Sequence, residues 1–275
     1  MTIDEREPRQ AMAAALNKVP EITVWFWVIK VLTTGMGETA SDYLAHTFAP
    51  PLAVGLGLTG LVAALVLQFR ARRYVASIYW LTVVMVSVFG TMAADVLHVG
   101  LGIPYVVSTV FFSIVLAAVF AVWYATERTL SIHGIDTGRR EFFYWATVLA
   151  TFALGTAAGD LTAATLGWGY LASGVVFAVA IAVPAVAHRR FGLGAVPAFW
   201  IAYVITRPLG ASFADWMGVS HARGGLALGT GPVTLAWLAA IVALVAFLIV
   251  TRIDSDGPTQ DRAQGTAAAT RGRAR

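Results

Sequence analysis

Eight apolar runs divide the chain. They cover about 23–43, 50–70, 75–97, 103–125, 141–162, 168–187, 197–217 and 231–252. Each supplies the roughly 20 mostly apolar residues that a spanning helix needs. The gaps between them are short, which makes consecutive helices antiparallel neighbours. The expected fold is therefore all-α: a polytopic membrane protein with eight transmembrane helices. The polar stretches 1–18 and 253–275 read as disordered tails. The first of them carries Asp4, Glu5 and Glu7 and no apolar stretch. The first spanning helix is thus expected to act as its own insertion signal.

The runs repeat in pairs. Trp27, Trp80, Trp145 and Trp200 each open an odd-numbered run. A glycine follows each tryptophan by 10 residues (Gly37, Gly90, Gly155, Gly210) and an aspartate by 15 (Asp42, Asp95, Asp160, Asp215). A small residue precedes each aspartate: Ser41, Ala94, Gly159 or Ala214. A unit of two helices restores the direction of the chain, so all four copies enter the bilayer alike, as parallel repeats do. The expected repeats are 19–73, 74–138, 139–193 and 194–252.

The stretch Lys18-Val19-Pro20-Glu21-Ile22-Thr23, then Phe26-Trp27 and Gly37-Glu38-Thr39-Ala40-Ser41-Asp42, resembles a known family. These are bacterial, uncharacterised membrane-anchored proteins made of four tandem repeats of unknown function, each with two transmembrane segments and a characteristic tryptophan. The resemblance runs over about 18–252. It implies this architecture and supplies no substrate.

Composition agrees with a membrane location. Hydrophobic residues are 58% of the chain and charged residues 12%, against about a quarter charged in soluble domains. A formal charge of +4 invites a nucleic-acid reading. The placement of the charges opposes it. With both termini in the cytoplasm, 16 Lys and Arg fall on the inside, only Arg223 falls outside, and Lys30 and Arg207 lie within helices. This asymmetry sets the orientation, and the resemblance to a bacterial family implies the cytoplasmic (inner) membrane of a bacterium. Without cysteine there are no disulfides and no thiolate metal sites.

The repeated residues carry the candidate chemistry. Each glycine and the small residue four positions on form a small-xxx-small pair, which lets helices pack closely; a hinge is the alternative. The tryptophans are either an interfacial belt or packing wedges between repeats. Each aspartate lies about 22 Å along its helix from its tryptophan. It is either a cap on local amides or part of a shared polar site.

In the first repeat Lys30, Thr34, Glu38 and Asp42 are four apart and share one helix face. The same register gives Val83, Ser87, Thr91 and Asp95; then Val148, Phe152, Thr156 and Asp160; then Tyr203, Arg207, Ala211 and Asp215. Lipid is no environment for this stripe. Lys30 and Arg207 are expected as counter-ions to the acids, or as competitors for a cation. Pro208 predicts a kink in the seventh run. Gly-x-Gly pairs before or at the start of each even run (Gly55/Gly57, Gly100/Gly102, Gly167/Gly169, Gly229/Gly231) read as turns. His46, His98 and His221 fall near the aspartates and read as loop residues, with metal assistance or pH sensing as the sharper alternative.

No phosphate loop, nucleophile elbow or zinc-protease motif occurs, so neither an enzyme nor a cofactor is expected. The functional expectation is a gradient-driven, proton-coupled carrier of a cation such as a hard metal ion. Glu38 and Asp42 would hold the ion, assisted by Asp95, Asp160 and Asp215 and by the hydroxyls of Thr34, Thr91 and Thr156. The alternative is a membrane scaffold or sensor whose polar stripe is internal glue.

Overall fold

The computed structural model describes residues 17–255. The expected tails fall outside that range except for 17–18 and 253–255, which are packed rather than free: Lys18 and Asp254 are both buried. The helices are α1 (Val24–Thr47), α2 (Pro50–Arg70), α3 (Ala76–Asp95), α4 (Tyr105–Glu127), α5 (Gly138–Asp160), α6 (Tyr170–Ala180), α7 (Ala182–Phe191), α8 (Ala195–Gly218) and α9 (Thr230–Thr251). Their limits follow local chemistry. Thr23 and Thr137 cap α1 and α5 through their hydroxyls. Gly169 and Gly229, both at positive φ, turn the chain into α6 and α9.

One expectation about glycine is corrected. Gly55 and Gly57 lie inside α2 and make no turn. The seventh run is not interrupted at Pro208, and α8 continues through it. The break falls in the sixth run, where Ile181 separates α6 from α7. Pro184 explains it, because its ring nitrogen cannot donate to the carbonyl of Ala180 one turn back.

The odd-run helices α1, α3, α5 and α8 form a closed inner ring, each touching the next and α8 returning to α1. The outer helices lie around it. Each packs chiefly against the inner helix of the following repeat: α2 on α3, α4 on α5, α6 on α8 and α9 back on α1. The ring has a tryptophan end, where the inner helices start, and an aspartate end.

Two contact cycles close the ring. At the tryptophan end, the aromatic residue just before each tryptophan packs on the tryptophan of the next repeat. Phe26 meets Trp80 at 5.7 Å between ring centroids, Tyr79 meets Trp145 at 5.5 Å, Tyr144 meets Trp200 at 6.1 Å, and Phe199 meets Trp27 at 5.7 Å. Trp80, Trp145 and Trp200 are buried and Trp27 half-buried, so they act as wedges between repeats and not as a belt. Midway along, each repeated glycine faces the residue seven positions after the tryptophan of the next repeat. A Cβ on Gly37 would lie 1.8 Å from Ser87 Oγ, and one on Gly90 2.7 Å from Phe152 Cβ. One on Gly155 would lie 2.3 Å from Arg207 Cγ, and one on Gly210 1.9 Å from Thr34 Oγ1.

Among the described residues six segments are long and apolar enough to cross a membrane: Pro50–Arg70, Ala76–Gly100, Tyr105–Glu127, Gly138–Thr165, Tyr170–Phe191 and Thr230–Thr251. Helices α1 and α8 are long enough but too polar. They face each other inside the ring, where their charged residues meet protein instead of lipid.

The glycine cycle generates a graded prediction. Gly210 faces backbone as well as side chain, with Val31 O at 2.7 Å and Gly35 N at 2.9 Å from a Cβ. Backbone cannot rotate away, so Gly210→Ala should lower stability by about 1–3 kcal/mol or more. Gly55→Ala, with nothing within 4 Å of its Cβ, should be neutral or stabilise by up to about 1 kcal/mol. Thermal unfolding in detergent measures both. Equal melting temperatures for the two variants would mean that the ring tolerates separation.

Candidate functional site

The helical register aims three polar layers at the ring interior. The residues seven after each tryptophan (Thr34, Ser87, Phe152, Arg207) and eleven after it (Glu38, Thr91, Thr156, Ala211) are all buried. The inner glycines allow these side chains to come within hydrogen-bonding reach across helices.

Arg207 is the hub, completely buried on α8. Its Nη2 forms an ion pair with Glu38 Oε2 of α1. The same nitrogen donates to the hydroxyl of Thr91 on α3, and to that of Thr156 on α5 at 2.6 Å. Nη1 donates to the Thr34 carbonyl at 3.2 Å. Both hydroxyls accept freely because each gives its own proton within its helix, Thr91 to Ser87 O and Thr156 to Phe152 O. Position eleven of three repeats thus converges on position seven of the fourth. The remaining equivalent, Ala211, has no side-chain polar atom to compete.

The other expected site residues are distributed as follows. The Thr34 hydroxyl is turned to backbone, donating to Val31 O and to Thr206 O. Lys30 is not a counter-ion. Among the described residues its buried Nζ has no hydrogen-bond partner, and it lies over the rings of Phe152 (3.8 Å to the centroid) and Tyr203 (4.2 Å). It stands two helical turns before Glu38, where aromatic faces are its partners.

The aspartates form a looser group at the far mouth. Asp42, Asp95 and Asp160 are half-buried and Asp215 is buried. Their carboxylates all lie within electrostatic reach of Glu38, and each lies within reach of at least one other aspartate. None has a hydrogen bond or ion pair with another described residue. The capping reading fails for the same reason: α2, α4, α6 and α9 all start without a side-chain cap. Asp95 and Asp160 each end an α-helix that passes into a π-helical turn, Val96–Gly100 and Leu161–Thr165, an irregularity frequent at functional sites. His46 and His221 bond to backbone carbonyls and not to these acids. His98 packs beside Tyr105. Among the described residues no three His, Cys, Asp or Glu side chains are grouped as metal ligands. Glu38 faces Arg207, so Glu38 and Asp42 do not by themselves make an assembled metal site.

The tryptophan end is tied together by polar contacts of Lys18 and Asp254. Lys18 pairs with the fully buried Glu141 at 2.6 Å, and Gln68 donates to the same carboxylate at 3.1 Å. Tyr74 donates to Asp254 at 2.5 Å. Burial, together with that carboxylate, holds the Tyr74 phenol above its ordinary range. A cavity of about 180 Å³ between Ile22, Leu130, Val196 and Phe199 is apolar and remote from the acids.

Four stretches of the chain, 25–74, 78–129, 143–192 and 198–254, match one family model, the Repeat of Unknown Function (DUF347). The chain belongs to the DUF347 repeat family. Neither a curated relative nor a solved structure matches it. Two features of the DUF347 unit lay in the sequence unread. One is the aromatic residue before each tryptophan (Phe26, Tyr79, Tyr144, Phe199). The other is the pairing of glycine with position seven of the next repeat, which no single repeat reveals. Glu141 and Gln68 gave no signal at all, since their partner Lys18 is remote in sequence.

The hub predicts a stability signature. Arg207→Met leaves Glu38 buried without its cation and should cost about 3–5 kcal/mol. Adding Glu38→Met should restore most of that loss, since a matched apolar pair carries no stranded charge. Unfolding in detergent, followed as a double-mutant cycle, tests this. Additive losses would sever the link between the two residues.

Proposed function

We propose that this protein is a gradient-driven carrier of a cation, with the inner ring as its path and the aspartate mouth as its entry. The supporting observation is the set of four equivalent carboxylates without hydrogen-bond or ion-pair partners among the described residues, near one buried Glu38–Arg207 pair. Carboxylates stripped of protein partners attract cations, and their convergence raises the local cation concentration. Glu38 is the switch in this reading. It exchanges Arg207 for the incoming ion, which Asp42 and the hydroxyls of Thr91 and Thr156 then help to surround. Oxygen ligands suit Mg²⁺, Mn²⁺ or similar hard ions. A proton or the guanidinium fills the same role when the ion leaves, which couples the cycle to a proton gradient.

The reading carries a topology. All eight runs cross the membrane, α1 and α8 shielded within the ring, and both chain ends lie in the cytoplasm of a bacterial inner membrane. A cysteine at Arg223 should then react with an impermeant thiol reagent added to intact cells, and one at Arg72 should not. The opposite pattern inverts the orientation.

A scaffold or sensor remains the second reading, because Arg207 pairs with Glu38 inside the ring and a buried ion pair joined to hydroxyls of two further helices is good internal glue. Reconstituted vesicles with an internal pH dye separate the two. Adding Mg²⁺, Mn²⁺, Na⁺ or K⁺ in turn should move protons with one ion preferred. Asp95→Asn with Asp160→Asn should slow that flux by about tenfold or more with an unchanged melting temperature. Glu38→Gln should abolish it. Silence with every ion, or full flux in the aspartate double variant, favours the scaffold.

A further inference from the structure

The residues Asn17 to Glu21 stand before the first matched repeat, which begins at residue 25. They adopt neither helix nor strand, yet Lys18, Val19 and Pro20 are buried. Their bonds run to helix ends all around the ring. The Asn17 carbonyl accepts from Tyr74 N, just beyond α2, at 3.1 Å. Ile135, in the loop between α4 and α5, donates its N–H to the Asn17 side chain at 3.3 Å and accepts from Lys18 N at 3.1 Å. Lys18 Nζ donates to the Phe69 carbonyl at the end of α2, at 3.2 Å, and pairs with Glu141 in the first turn of α5 at 2.6 Å. Glu21 N donates to the Asp254 carbonyl beyond α9 at 3.0 Å.

Five residues thus span the tryptophan end. Their anchors stand on the first and third repeats, on the loop joining the second to the third, and at the end of the fourth. No repeat can tilt outward here while all of these bonds hold. The aromatic cycle lies directly beneath, for Val19 belongs to the same buried cluster as Trp80, Trp145 and Trp200. What holds the segment differs from what holds the ring. The ring is close helix packing. The segment is irregular backbone held by single hydrogen bonds and one ion pair, and such bonds exchange for bonds to water at a small net cost. Segments of this kind open locally while packed helices stay intact. Glu141 also keeps a partner when Lys18 leaves, because Gln68 donates to the same carboxylate at 3.1 Å.

We infer that Asn17–Glu21 is a strap that gates the tryptophan end, with the Lys18–Glu141 pair as its latch. When the latch parts, the strap lifts, the four repeats are no longer tied at this end, and the ring interior opens here. The inference rests on the carrier reading, which needs a second opening opposite the aspartate mouth, and it names the element that closes that opening.

The chain has no cysteine, so single introduced cysteines report local exposure through their rate of reaction with a thiol reagent. Three reporters are placed singly in the full-length protein in detergent. Val19→Cys lies in the strap, Val83→Cys on the inward stripe beyond the aromatic cycle, and Ala94→Cys at the aspartate end; all three positions are buried. Glu141→Gln strands the Lys18 ammonium, which then gains by reaching water. It should speed the reaction at positions 19 and 83 by about tenfold or more and leave position 94 unchanged. Acceleration at 19 alone makes the segment a staple without a gating role and overturns the inference. Equal acceleration at all three means that the pair supports the whole fold, which overturns it as well, as does no acceleration at all. If Glu141→Gln does not fold, Lys18→Gln releases the strap while Gln68 still holds Glu141, and it is read in the same way. None of these rates depends on transport. Gated exposure without ion flux keeps the strap and removes the carrier; ion flux without gated exposure removes only the strap.

Discussion

Four inner helices stand so close that a glycine of each must face a side chain of the next. That approach is the constraint on which the rest depends. Lipid offers helices no hydrophobic reward for associating, so contact between smooth surfaces has to supply the attraction. Because Gly210 meets Thr34 just as Gly37 meets Ser87, the last repeat binds the first and the array closes. An open row of repeats would leave α1 with Lys30 and Glu38 on a lipid-facing side. Closure turns that face inward and makes the polar stripe tolerable.

Closure also makes equal positions unequal in role. Position seven is Thr34, Ser87, Phe152 and Arg207, and position eleven is Glu38, Thr91, Thr156 and Ala211. A four-fold ring of identical side chains would put four charges, or none, at the centre. Four diverged copies instead bring one guanidinium, one carboxylate and two hydroxyls to one point, with one position left small. Desolvating an ion pair is costly, and three helices contribute oxygens to offset the cost. Such a hub holds the ring together. It is also the element whose rearrangement would be felt by every repeat.

The two ends of the ring differ in kind. The tryptophan end is filled by eight interlocked aromatic rings and by the Lys18–Glu141 pair beneath them. The aspartate end has no such plug; its helices loosen into π-helical turns after Asp95 and Asp160. Rigid packing at one mouth and unpartnered carboxylates at the other give the molecule a direction even though its repeats are parallel copies.

The all-α class, the four-fold repeat and the inward stripe were determined by sequence alone. Apolar runs of spanning length and a fixed tryptophan-to-aspartate offset are one-dimensional signals, and a helix translates them directly into length and face. The tertiary structure decided which faces meet. Lys30 and Arg207 look like equivalent counter-ions along the chain. One sits over the rings of Phe152 and Tyr203 and the other on Glu38, because the helix that faces each depends on how the ring closes. The break at Ile181 rather than at Pro208 was likewise a matter of surroundings. Pro208 lies in tight contact across the ring, its Cδ at 3.0 Å from a Cβ on Gly155, and its helix continues through it. The residues around Ile181 are largely exposed on an outer helix, where no neighbour opposes the break. Periodicity fixes what a helix presents. Only packing between repeats selects the partner, since partners remote in sequence are related by distance in space and by nothing along the chain.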